Sequence, residues 1–173
     1  MDLNIKIVYS KRKTVGINVK EGVVTIRSPK GKSSDELLGI LKKHERWLSG
    51  ALSRDKARYE KIDELDSLDE KELRAAARVY FTEKCEHYAA IMGLKYNKIS
   101  INKAKGRFGS CSSLGNINFS LRLMLYPEEA REYVVVHELC HLKYMNHSKF
   151  FYSYLSRYMP DYKERRKLLR VNA

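Results

Sequence analysis

Long hydrophobic runs are missing from this sequence. No uninterrupted apolar stretch approaches the roughly 20 residues that span a bilayer. The opening "MDLNIKIVYSKRK" lacks the apolar stretch of about 7–15 residues and the small-residue cleavage site of a secretory signal. Neither a membrane association nor export is expected. Cysteine is scarce: Cys85, Cys111 and Cys140 are too few and too scattered for a disulfide framework. A reducing cytoplasm is the expected compartment. Histidine is scarce as well, five in 173 residues, yet three of the five fall between positions 137 and 147.

What is present is ordinary for a globular chain, with 43% hydrophobic and 32% charged residues. The length suits one domain, or one domain with a small attachment. The formal net charge of +13 is unevenly spread. Eight basic side chains face two acidic ones over residues 1–32, nine face eleven over 33–75, and seventeen face eight over 76–173. Basic ends attract nucleic acid, nucleotides or other polyanions. No aromatic-interleaved basic motif accompanies them, which favours a solvated cationic surface slightly over a nucleic-acid or nucleotide site.

Residues 14–19, "TVGINV", alternate, and "VVTIR" resumes the pattern after Glu21-Gly22, which predicts a hairpin. Ser33 and Glu36 have the spacing of a capping box and open a helical stripe through Leu37, Leu41 and Leu48. "RYEKIDELDSLDE" is charged and poor in core residues. It places a boundary near Ile62 and divides the chain into 1–62 and 63–173. Ser67 with Glu70 forms a second box, before a helix that stops at Gly93. "KISI" predicts a short strand, and two more flank the turn "SSLGN". Pro127, Glu128 and Glu129 suit the first turn of the next helix. Ser148 can cap a further helix, and Asp161 with Glu164 can box the last.

The helix after Pro127 carries "HELCH", with His137 and His141 four apart on one face. Two imidazoles at that spacing reach a single metal at about 2.0–2.1 Å. Glu138 stands one step round, where a general base belongs. The preceding "VVV" predicts a buried helix that shields the site from bulk water. A third ligand is needed for zinc, and His147 supplies it if the helix stops soon after His141 and the chain turns back near Asn146. His44 and His87 have no such arrangement, and Cys85-x-His87 lacks a partner pair for a second metal site. Cys140 lies off the ligand face and suits packing.

"RFGSCSSLGNINFSLRLMLYP", "VVVHELCHLKYMNHSKFF" and "YMPDYKERRKLL" resemble the YgjP-like metallopeptidase domain family, related to the SprT-like and WLM groups. "RKTVGINVKEGVVTIRSPKG" resembles the start of that family, so the likeness spans nearly the whole chain. It implies an α+β, zincin-like catalytic domain, a small sheet packed on an active-site helix, behind an N-terminal β-hairpin plus helix. By position it implies His137, His141 and His147 as zinc ligands and Glu138 as catalytic base. One departure is Phe108, where the family usually has Trp. The segment Gly106 to Ser113 resembles the zincin edge strand that binds an extended peptide, although a plain hairpin with glycines at bulges fits it as well.

The leading functional reading is a zinc-dependent hydrolase acting on peptide or protein. The alternatives are a metal-dependent phosphoanhydride hydrolase acting on nucleoside triphosphates and a non-enzymatic nucleic-acid-associated zinc module. The last is weakened by the ligand count, since structural zinc usually takes four protein ligands with cysteines among them. Tyr144, Arg107 and Tyr162 are equal candidates for stabilising a transition-state oxyanion.

Overall fold

Residues 3–171 are described by the computed structural model. The chain divides into two compact units, Met1–Glu60 and Lys61–Asn172. The described residues form six α-helices and two three-stranded sheets, a mixed α+β architecture. No helix among them is long and apolar enough to cross a membrane.

In the first unit the predicted hairpin is β2 (Gly16–Lys20) with β3 (Val23–Pro29). Glu21 and Gly22 turn it, both at positive φ, as a two-residue hairpin loop requires. The sequence reading missed β1 (Asn4–Ser10), which pairs parallel to β3 and gives the order β1-β3-β2. Val24 and Ile26 of β3 pack on Leu37 and Leu41 of α1 (Ser34–Lys43), whose Ser33–Glu36 capping box is complete. His44 ends α1, and α2 (Glu45–Ser67) begins at the next residue, so the single expected helix is two.

The charged stretch read as a boundary is helix, and the division between units falls inside α2. Ile62 and Leu65, one turn apart, are buried and anchor its last turns. The expected Ser67–Glu70 box is absent. Ser67 donates instead to the Glu64 carbonyl, and Asp69 caps α3 (Glu70–Met92) by accepting from the Glu72 amide.

The second unit is built on α3 and α4 (Glu128–Cys140). Beside them lies a sheet of β4 (Lys98–Asn102), β5 (Gly109–Cys111) and β6 (Asn116–Ser120), ordered β4-β6-β5. Phe81 of α3 stacks on Phe119 of β6 at 4.5 Å between centroids, and Val134, Val135 and Val136 complete this core from α4. A 3₁₀ turn (Leu121–Leu125) links β6 to α4, which is followed by α5 (Lys149–Tyr158) and α6 (Tyr162–Val171). The Asp161 carboxylate does not form the expected box with the Glu164 amide; it accepts from Arg165 Nε at 2.8 Å.

One polar cluster ties three helices together. Glu132 of α4 meets Lys84 of α3 at 2.6 Å and Arg165 of α6 at 2.7 Å. Burial alone would raise the Glu132 carboxyl, but the bonds from Lys84 and Arg165 outweigh it and hold it below its ordinary value. A depressed carboxyl contributes stability above its unfolded pKa and loses it as pH falls through the folded one. Glu132→Gln is therefore expected to cost about 1–2 kcal/mol near neutrality, between exposed and buried pairs. The gap in melting temperature from the parent should narrow as pH falls below the usual carboxylate range. A gap that does not change with pH would show that the carboxylate charge is not what matters.

Candidate metal centre

Helix α4 ends where the site needs it to. The amides of His141, Leu142 and Lys143 bond to carbonyls three residues back, at 3.2, 3.0 and 3.1 Å. This tightening closes the helix at once. The chain then turns through residues 144–147 and re-enters helix at Lys149, with Ser148 at the N-cap, although its hydroxyl makes no capping bond. The turn carries His147 back onto α4.

The three histidines converge. One ring nitrogen from each of His137, His141 and His147 lies within 4.8 Å of the others. His147 Nε2 is 3.0 Å from His137 Nε2. His141 Nδ1 is 3.0 Å from the Tyr144 carbonyl oxygen, which leaves its Nε2 for the centre. His137 Nδ1 lies 3.3 Å from the Tyr133 hydroxyl, one turn earlier on α4. Such contacts select the tautomer and aim the ring of a metal-binding histidine. Nitrogens about 3.3 Å apart would match tetrahedral bonds of the usual length, so the donor set fits one metal ion after small adjustments. Beneath it lies Phe151, fully buried, whose ring centroid is 4.9, 4.8 and 4.9 Å from those of His137, His141 and His147.

This apolar floor has an electrostatic result. Burial first, then the neighbouring His141 and His147 and the more distant Arg166, push His137 down to about 3. Burial also lowers His141, against the opposing bond to Tyr144. Both rings are held neutral, the form in which imidazole binds metal. Glu138 is only 5% exposed, and burial pushes it up to about 8 while Arg107 opposes. A bound cation would act in the same direction as Arg107.

Strand β5 forms the wall beside Glu138. A Cβ on Gly109 would lie 2.6 Å from Glu138 Oε1 and 2.8 Å from its Cγ, so only glycine leaves room for the carboxylate. The segment that leads into this wall is tied down. Ser120 Oγ donates to the Ala104 carbonyl at 2.9 Å and Arg122 Nη1 to the Lys105 carbonyl at 3.1 Å. β5 is an edge strand of the sheet. Phe108 accepts from the Ser120 amide, and the Ser112 amide donates to Asn116. By antiparallel alternation the amides of Ser110 and Ser112 face β6, and those of Gly109 and Cys111 face outward.

A cavity of about 430 Å³ opens beside His137 and His147, walled by Phe108, Tyr133, Tyr152 and Leu169, with Arg166 at its side. Neither Tyr144 nor Tyr162 lines it. Tyr162 stacks on Tyr152 instead, at 6.0 Å. His44 and His87 join no cluster among the described residues. Cys140 is buried, and burial pushes its thiol up to about 12, which suits a packing role. The sequence reading missed Tyr133, Phe151, Gly109 and Arg166. Tyr133 and Phe151 stand four residues from His137 and His147, a spacing that helical periodicity could have exposed. Arg166 stands four residues after Tyr162 on the last helix, a spacing equally open to such a reading, whereas Gly109 left no periodic signal.

Comparison with known proteins adds three findings. The family model described as "YgjP-like, metallopeptidase domain" matches residues 59–172. The crystal structure of the metallopeptidase zymogen of Pyrococcus abyssi abylysin is similar at 26% identity and a TM-score of 0.46, over 50% of this chain and 89% of that one. No curated protein matches the chain.

Proposed function

The chain belongs to the YgjP-like metallopeptidase domain family, and we propose that it is a zinc-dependent peptidase of zincin-like architecture whose catalysis resides in residues 63–173. The observation that carries this reading is the convergence of three imidazoles beside one buried carboxylate. His137, His141 and His147 would each hold zinc through a ring nitrogen, and Glu138 stands beside them as base. Zinc, when bound, supplies Lewis acidity to the attacking water and to the peptide carbonyl.

The chain's own groups do the rest. Glu138 takes the proton of the attacking water on a carboxylate oxygen and passes it to the departing amine nitrogen. The Tyr144 carbonyl keeps His141 in the tautomer with Nε2 free. Phe151 closes the site beneath the imidazoles, and the Gly109 wall closes it beside the carboxylate, so both keep bulk water out. An extended peptide would add to the sheet at the outward amides of Gly109 and Cys111.

The phosphoanhydride reading loses support from one observation. Lys103, a cation it would use to hold phosphates, is tied to Asp66 at 2.9 Å and Glu70 at 3.1 Å. The deciding experiment incubates purified protein with casein and, separately, with nucleoside triphosphates, with and without chelator. Casein cleavage lost on chelation and restored by zinc is the expected result. Chelator-sensitive triphosphate hydrolysis without proteolysis would reject the peptidase.

The Gly109 contact supports a sharper expectation. A methyl group there must displace Glu138 by a fraction of an ångström or more. Misplacement by about 1 Å costs about 10²-fold in rate. Gly109→Ala should therefore lower turnover by roughly 10²-fold while zinc content stays at the parent's level. Unchanged turnover would mean that Glu138 does not need that position.

A further inference from the structure

The cavity beside the triad carries one full charge among its lining residues, Arg166. The neighbouring arginine of α6 is committed: Arg165 bonds Glu132 and Asp161. Arg166, one step and so about 100° further round the helix, has no carboxylate partner among the described residues. It shares its face of α6 with Leu169, three residues on, which lines the same cavity. Tyr162, one turn earlier, stacks on Tyr152, and Tyr152 stacks on His147 at 6.2 Å. One whole side of α6 is thus turned toward the triad.

We propose that Arg166 is a specificity-determining residue that binds a carboxylate of the peptide substrate, set next to the residue at the scissile bond. A guanidinium offers paired N–H donors that match a carboxylate in a two-pronged contact. Arg166 is exposed, and its fork has no carboxylate partner among the described residues. It lines a cavity whose other walls include Phe108, Tyr133, Tyr152 and Leu169, so an anion entering that cavity is the ligand that gains most from it. The cavity is in the size range of small-ligand sites and suits the end of a chain or one side chain. Both an α-carboxylate at the C-terminus and an internal Asp or Glu carry the required group. The proposal rests on the peptidase reading and names the substrates of that same site.

The test digests a proteome-derived peptide library, once native and once with all carboxyls amidated, using parent, Arg166→Met and Arg166→Lys proteins. The parent should cleave native peptides about 10- to 100-fold faster than amidated ones, the range expected for charge-assisted hydrogen bonds. Cleaved bonds should cluster beside carboxylates. Clustering at chain ends identifies the α-carboxylate, and clustering beside internal Asp or Glu identifies the side chain. Arg166→Met should cleave both libraries at equal rates with zinc content unchanged, and Arg166→Lys should keep part of the preference. A second reading comes from calorimetry with Glu138→Gln protein. Acetylated dipeptides with free carboxylates should bind at least tenfold more tightly than their amides, and adding Arg166→Met should abolish the difference. Cleavage without carboxylate preference, or a preference that survives Arg166→Met, overturns the assignment and leaves the peptidase standing. Failure to cleave either library, with no dipeptide bound, overturns both.

Discussion

Glu138→Gln is expected to keep its zinc and lose turnover by about 10²–10⁴-fold, the usual loss for a missing general base. The substitution is nearly isosteric, which matters in a position as tight as this one. Gly109 already lies so close to Oε1 that even an added methyl would not fit, and glutamine asks for no more room than glutamate. It cannot accept the proton of the attacking water, so the chemical step fails while the ligand set stays whole. Burying a neutral amide is also cheaper than burying a carboxylate. The melting temperature of the metal-free variant should therefore equal or exceed that of the metal-free parent. Loss of activity with unchanged or higher stability is the pattern of a group held for chemistry and not for folding. The measurements are turnover on the best peptide found, zinc per chain by elemental analysis and calorimetric melting. Turnover near the parent's would falsify the assigned role.

His147→Ala should have the second large effect, on the metal itself. Protein purified without added metal should carry about one zinc per chain, and this variant far less. Changing a group that merely orients a ligand costs about 10–100-fold in affinity. Removing a ligand should exceed that, and peptide cleavage should vanish with the metal. His147 is the informative choice because it is exposed and lies outside α4. His137 and His141 are held in place by the helix and its core, so their replacement also disturbs packing. Zinc content equal to the parent's in His147→Ala would remove it from the ligand set.

The residues that announced themselves are those whose relations lie within one helix or one turn. "HELCH" defines a face, and Pro127, Glu128 and Glu129 mark where its helix begins. The hairpin at Glu21-Gly22 and the strands around "SSLGN" follow from alternation and turn chemistry. Relations between elements were harder to read. β1 alternates Ile5 and Ile7 toward the core, a short signal that the sequence reading passed over, and nothing local says that it pairs parallel to β3. The charged part of α2 looked like a linker because only Ile62 and Leu65 among its last turns are buried. Asp69 outcompeted Ser67 as a cap because α2 runs on to Ser67 and uses its hydroxyl at its own end. The approach of Gly109 to Glu138 joins residues 29 apart in sequence, and no periodicity encodes it. Which amides of β5 face outward depends on register with β6, a parity that a short strand does not reveal.

Phe151 has a consequence for how long the protein lasts. The ring that seals the core at the start of α5 is the same ring on which all three imidazoles rest. Packing and ligand geometry are therefore one arrangement, and unfolding this part of the chain disperses the ligands. An ion that binds only the assembled arrangement stabilises it by mass action, by about 2.7 kcal/mol at a hundredfold excess over its dissociation constant. For a zinc-loaded chain this makes the supply of metal a control on abundance as well as on activity. If the proposed zinc dependence holds, copies left without metal would be both inactive and the readiest to open, and would be cleared first by proteolysis.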